Sequence, residues 1–171
     1  VCRGEIIGIV GESGCGKSTL GRCALRLIDV TDGSVVFDGT DITHLSSSAL
    51  KPFRRNMQMI FQNPFSSFNP KQSIGSALRE VGHVHGMKSG ETDEKILALL
   101  SDISLPKDIL TRSPGELSGG QLQRLAIARA LLLDPKFIVA DEAVSALDVS
   151  VQAQILNLIV DLRRKLSMTM M

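Results

Sequence analysis

Apolar positions along this chain follow two rhythms. Short continuous runs predict buried strands, and spacings of three and four predict helices packed through one face. Glu5 to Val10 (E-I-I-G-I-V) reads as a short buried strand. Lys17 to Leu27 reads as a helix with Leu20, Ala24 and Leu27 on one side. Gly33 to Phe37 is β-branched in character, and Asp38-Gly39 after it predicts a hairpin turn. Asp41 to Ser48 is polar and unassigned, Leu50 to Arg55 predicts a short helix interrupted by Pro52, and Asn56 to Phe61 predicts another strand ending in Gln62-Asn63-Pro64.

From Phe65 to about Pro114 helical patterns are separated by Gly and Pro. Ser73 to Val84 predicts one helix. Thr92, before Asp93-Glu94, predicts the cap of a second, with Ile96, Leu97, Leu100 and Ile103 as its apolar stripe. His83 and His85, near a helix end and without ligand partners, read as solvated surface residues. Ser118 and Gln121 have capping-box spacing and open a helix reaching about Leu133, with Leu122, Leu125 and Ala126 inward. Phe137 to Ala140 is a continuous apolar run, as a parallel strand buried on both faces requires, and ends in Asp141-Glu142. Val151 to Leu166 is amphipathic. Val151, Ile155, Leu158, Ile159 and Leu162 face in, and Gln152, Asn157, Asp161, Arg163 and Arg164 face solvent. Met168 to Met171 begins a strand.

The chain has 171 residues, 43% hydrophobic and 22% charged, enough for one packed domain or a core with a smaller subdomain. Its net charge of +1 gives no reason to expect a nucleic-acid partner. No apolar run approaches the ~20 residues a membrane span needs, and no signal peptide is expected. The three cysteines, Cys2, Cys15 and Cys23, lack metal-ligand spacing and suit a reducing compartment. A first residue Val1 inside a strand-forming region predicts a piece of a longer protein.

Gly11-Glu12-Ser13-Gly14-Cys15-Gly16-Lys17-Ser18 has the spacing of a phosphate-binding loop. Glycines let the backbone turn so that successive N–H groups point at phosphate oxygens. Lys17 supplies a mobile charge for the β- and γ-phosphates. Ser18 offers a hydroxyl to a magnesium ion, and the helix that follows aims its positive end at the same phosphates. The competing reading is a glycine-rich turn that binds nothing; the predicted strand before and helix after oppose it. A dinucleotide site is excluded, because Lys-Ser-Thr follows Gly14-Cys15-Gly16 where a third glycine is needed.

An apolar strand ending in Asp-Glu is the second half of many such sites. Asp141 would hold a metal water across from Ser18. Side chains alternate along a strand, so Glu142 points elsewhere, as suits a carboxylate that orients or deprotonates an attacking water. Gln62, after a strand, could bring an amide near the metal or the water.

The order of Gly11–Ser18, Gln62, Leu117-Ser118-Gly119-Gly120-Gln121, Asp141-Glu142 and Ser145-Ala146-Leu147-Asp148 resembles the ATP-binding cassette ATPases over essentially the whole chain. V-G-E-S-G-C-G-K-S-T (to Thr19), R-R-N-M-Q-M-I-F-Q-N-P-F-S-S-F-N-P and S-A-L-D-V-S-V-Q-A-Q-I-L-N-L are similar to the ATPase subunits of dipeptide, oligopeptide and nickel importers. The resemblance implies ATP and Mg2+ as ligands. Residues 11–19 would hold the nucleotide, Ser18, Gln62 and Asp141 the metal, and Glu142, Gln62 and Lys17 the catalytic work. It also implies a head-to-tail dimer, homo- or heteromeric, in which each ATP lies between one subunit's Gly11–Ser18 and the other's Ser118–Gln121. Ser145 to Asp148 would lie at that seam. Ala143 stands where this family usually has proline, which makes the loop less rigid. The family's adenine-stacking aromatic would fall before Val1 and its switch histidine after Met171; His44, His83 and His85 do not replace it.

The expected fold is therefore α/β. Residues 1–64 and 134–171 form a P-loop NTPase core with a mainly parallel sheet and a small β-subdomain near Gly33 to Phe61. Residues 65–133 form a mainly helical inserted subdomain carrying the signature. The expected function is ATP hydrolysis powering import of a peptide-type solute, at the cytoplasmic face of the inner membrane and bound to permease subunits without a span of its own. Alternatives are a soluble cassette ATPase of translation or repair, and a regulatory module that binds ATP without turnover.

Overall fold

The computed structural model describes residues 1–145, 147–166 and 168–171. In chain order its elements are α1 (Lys17–Ala24), β1 (Val36–Phe37), β2 (Thr40–Asp41), α2 (Ser47–Arg54), β3 (Met57–Ile60), α3 (Ile74–Val84), α4 (Ser89–Asp102), α5 (Gly119–Leu131), β4 (Phe137–Ala140), α6 (Val149–Leu166) and β5 (Thr169–Met170). Single 3-10 turns lie at Pro64–Ser67, Lys107–Thr111 and Pro114–Glu116.

The three-stranded sheet runs β3-β4-β5, all parallel, with Met57 opposite Phe137 and Phe137 opposite Thr169. Alternation along β4 explains its unbroken apolar run. Phe137 and Val139 face one cluster with Leu25, Ile42, Leu50, Met57 and Met59, while Ile138 and Ala140 face another with Ile60, Leu122, Leu125 and Leu131. Helices thus cover both faces of the sheet, an α/β arrangement. The second cluster continues through Ile74, Leu78, Ile96, Leu100 and Ile103 of the helical stretch. The hairpin β1–β2 turns at Asp38 (φ 50) and Gly39 (φ 81), the positive pair a type I′ turn requires. Asp38 ties it down through Arg3 and Lys136, which hold its carboxyl below the usual value; the hydrogen bond from Lys136 has the largest effect.

Several expectations are corrected. Glu5–Val10 is not a full strand: Ile6 alone bridges Met170, with the Ile7 N–H on the Met170 carbonyl at 2.9 Å. Residues 8–10 have no strand partner among the described residues, and Val10 is 96% exposed. Helix α1 stops at Ala24, and Leu20 and Leu27 are exposed; its buried contacts come from Gly21 and, just beyond it, Leu25. The β1 strand is only Val36–Phe37, shorter than Gly33–Phe37. Pro52 does not interrupt α2, which is capped by the Ser46 hydroxyl and held by Leu50 and Phe53 in the first cluster. Helix α4 begins at Ser89, so Thr92 is no cap. It is buried, with Oγ1 donating to the Lys88 carbonyl at 3.0 Å, and packs where Gly82 leaves room for it. Leu97 is exposed. Helix α5 ends at Leu131, not Leu133, and α6 begins at Val149, not Val151. Arg163 is not on a solvated face: it is half-buried and donates to the Gly4 carbonyl. His85 is half-buried as well.

Candidate functional site

Three local facts bring the site together. Gly16, at φ 98, turns the loop into the first turn of α1, so Lys17 and Ser18 stand at the helix N-terminus. Gly21, one turn on, lets α1 lie against β4; a Cβ there would be 2.7 Å from Val139 Cγ1. Asp141 continues the side of β4 that carries Val139, and its N–H is held by the Ile60 carbonyl at 2.9 Å. Ser18 Oγ consequently donates to Asp141 Oδ1 at 2.7 Å, across 123 residues of sequence.

Lys17 Nζ donates to the carbonyls of Gly11 and Glu12, both at 2.9 Å, and lies 3.9 Å from Glu142 Oε1. Gln62 follows β3 as Glu142 follows β4, and the parallel register places them side by side. Gln62 Nε2 donates to Glu142 Oε2 at 2.9 Å and to Ser145 Oγ at 3.1 Å. Gly11 to Gly16 and Thr19 are exposed, while Lys17, Ser18 and Asp141 are half-buried. Cys15 Sγ closes against Gly11, where a Cβ would be 2.6 Å away, so this thiol acts as a spacer within the loop.

The donors of Ser18 and Asp141 are oxygens only, and no group of three or more His, Cys, Asp or Glu converges among the described residues. That set fits a small hard cation that keeps most of its waters and takes its remaining ligands from a phosphate.

Ser118 builds the expected capping box: its Oγ accepts the Gln121 N–H at 3.3 Å, and its own N–H donates to Gln121 Oε1 at 3.1 Å. Upstream, Glu116 accepts from the Ser113 backbone and hydroxyl, which hold its carboxyl below the usual value. A Cβ on Gly120 would meet Val151 Cγ1 at 2.9 Å, so α5 and α6 touch at their N-termini beside Leu147 and Asp148. Ser118 and Asp148 are exposed. No hydrogen bond or ion pair among the described residues joins 11–18 to 117–121. Ala146, of the Ser145–Asp148 run, lies outside the described residues.

Two residues escaped the sequence reading. Gly21 lies inside a predicted helix, a signal of close packing. Ser145, expected at the seam, also accepts a hydrogen bond from Gln62 of its own chain, a contact its spacing does not signal. A cavity of about 350 Å³ is lined by Gln58, Gln72, Glu80, His85 and Arg129. Burial pulls the Arg129 guanidinium below its ordinary value, against Glu80; burial, then Arg55 and Lys51, does the same to His85.

Comparison with known proteins matches residues 1–145 to the family model described as ABC transporter. A Brucella ovis protein named as a peptide import ATP-binding protein is 50% identical over 172 aligned residues, covering 100% of this chain and 54% of its own length. The oligopeptide transport ATP-binding protein AppF of Bacillus subtilis is 49% identical, over 98% of this chain and 51% of its own. This chain therefore spans about half the length of these relatives. Among solved structures, a dimeric post-hydrolysis state of the ATP-binding cassette MJ0796 bound to ADP and Pi superposes with a TM-score of 0.86 at 30% identity, covering 99% of this chain and 74% of that one. CbiO1 from Clostridium perfringens, part of the ABC transporter complex CbiONQ, has a TM-score of 0.86 at 26% identity, over 98% of this chain and 66% of its own. With the phosphate loop, the capped Ser118–Gln121 turn and the Ser18–Asp141 contact assembled on the same sheet, the chain belongs to the ABC transporter family.

Proposed function

We propose that this chain is the central part of an ATP-hydrolysing subunit that energises import of a peptide-type solute. The observation that carries the reading is the 2.7 Å contact between Ser18 and Asp141, which creates an oxygen site at the mouth of a phosphate loop. The names of the relatives support the transport assignment.

Residues 11–19 bind the ATP phosphates through backbone N–H groups and the α1 N-terminus. Lys17 exchanges the Gly11 and Glu12 carbonyls for β- and γ-phosphate oxygens. Ser18, Asp141 and Gln62 hold Mg2+, which when bound neutralises charge on the phosphates. Glu142 accepts a proton from the attacking water, and Gln62 brings its amide to that water and the metal. Ser118–Gln121, with Ser118 exposed and no hydrogen bond to the loop of their own chain among the described residues, close on the nucleotide of a second cassette subunit, with Asp148 at the seam.

Residues 1–64 and 134–171 are the nucleotide-binding core and 65–133 the helical subdomain. The segment after Gln62 and the helical stretch receive the permease, at the cytoplasmic face of the inner membrane. No helix of the described residues is long and apolar enough to cross a membrane. The test is calorimetry of ATP binding to full-length protein with and without Mg2+. Asp141→Asn should remove most of the Mg2+ enhancement and leave metal-free binding in place; an unchanged enhancement contradicts the assignment.

A further inference from the structure

Glu142 has φ 45, a backbone conformation that L residues with side chains avoid. It is held there by its neighbours. The Glu142 carbonyl accepts the Ser145 N–H at 3.0 Å and the Ser145 hydroxyl at 3.1 Å. Gln62 Nε2 donates to both Glu142 Oε2 and Ser145 Oγ, which closes the ring. Residues 142–145 thus form a turn with Ala143 in its second position. The Ala143 N–H makes no hydrogen bond among the described residues, so the turn itself would accept proline there. Residue 142 would not: proline forces the residue before it toward extended backbone at negative φ. Only a non-proline residue at 143 leaves Glu142 free to take the observed conformation.

We propose that Ala143 is a positioning residue that lets Gln62 and Ser145 hold the Glu142 carboxylate in a resting setting, keeping turnover low until the nucleotide draws Gln62 and Lys17 away. The proposal rests on Glu142 being the carboxylate that activates water. No covalent step is involved. The turn makes no hydrogen bond to residues 11–18 among the described residues and meets Lys17 only at 3.9 Å through Glu142, so the device acts on kcat rather than on the ATP KM.

The test is steady-state hydrolysis by full-length protein. Ala143→Pro should raise basal kcat roughly three- to tenfold, the worth of about one net hydrogen bond, with KM unchanged. Ser145→Ala, which opens the ring from its other end, should do the same, and the double variant should not exceed either single one. Ala143→Gly, which restores the freedom of residue 142, should return kcat to within about twofold of the original. Ser145→Ala removes only an exposed hydroxyl, so it keeps the test open if the proline variant does not fold. Unchanged or reduced kcat in Ser145→Ala, or additive gains in the double variant, overturns the proposal. An active Glu142→Gln overturns the reading beneath it; an inactive Glu142→Gln beside a neutral Ser145→Ala overturns this proposal alone.

Discussion

Gly21→Ala should damage the proposed metal site without touching it. Gly21 lies one turn after Ser18 on α1, and Val139 lies two residues before Asp141 on β4. The two pairs share one interface, so the helix–strand spacing at Gly21 sets the spacing at Ser18. An alanine Cβ would be 2.7 Å from Val139 Cγ1, against an optimal carbon–carbon separation of about 3.5–4.0 Å. Val139 is 4% exposed and β-branched, so its side chain has little room to rotate away. Helix α1 must therefore move by about 1 Å, which stretches the 2.7 Å Ser18–Asp141 contact beyond hydrogen-bonding range. Overpacking of this kind costs about 1–3 kcal/mol, or a fall in Tm of roughly 2–12 °C at this size. Displacing a site by this much lowers turnover by about 100-fold. The assay is Mg2+-dependent hydrolysis by full-length protein alongside thermal unfolding. Val139→Ala removes the clashing methyl and should recover part of both losses in the double variant. Wild-type Mg2+ dependence in Gly21→Ala, or no recovery in the double variant, would refute the coupling.

Other outcomes follow from the same geometry. Lys17→Ala should abolish measurable ATP binding by calorimetry in full-length protein, because the loop loses its mobile charge. Ser118→Arg should block turnover while monomer ATP binding stays near normal, since in the proposed dimer its target belongs to a partner subunit. Leu125→Ala, at a fully buried site between α5 and the sheet, should cost about 2–5 kcal/mol in denaturant unfolding. Glu116 is held below its ordinary value of 4.5 by Ser113, so its contribution to stability is present above that pH and lost as pH falls through the lowered value. Glu116→Gln should flatten that part of the acid-unfolding curve.

The sequence revealed most where local chemistry and tertiary packing agree. Ser118 and Gln121 announce a capping box, and the box forms because nothing displaces it. Phe137–Ala140 announces a strand buried on both faces, and helices lie on both sides of it. Misreadings occur where packing outweighs local preference. Thr92 is a good cap in isolation, but the close approach at Gly82 draws it inside the helix. Leu20 and Leu27 fit a helical stripe, yet α1 uses Gly21 because β4 comes so near. Periodicity gave Arg163 to solvent, and only the fold brings the Gly4 carbonyl within its reach. At the site, spacing named Lys17, Ser18, Gln62, Asp141 and Glu142. The Ser145 bond to Gln62 was not legible, because it depends on the positive φ of Glu142.

ATP hydrolysis at Glu142, proposed to occur between two cassette subunits, is tested most directly on full-length Glu142→Gln. Light scattering with ATP and Mg2+, read beside phosphate release, should show a stable dimer and turnover lowered by at least about 100-fold, the loss of a general base. A monomer that hydrolyses ATP near the wild-type rate would contradict the account.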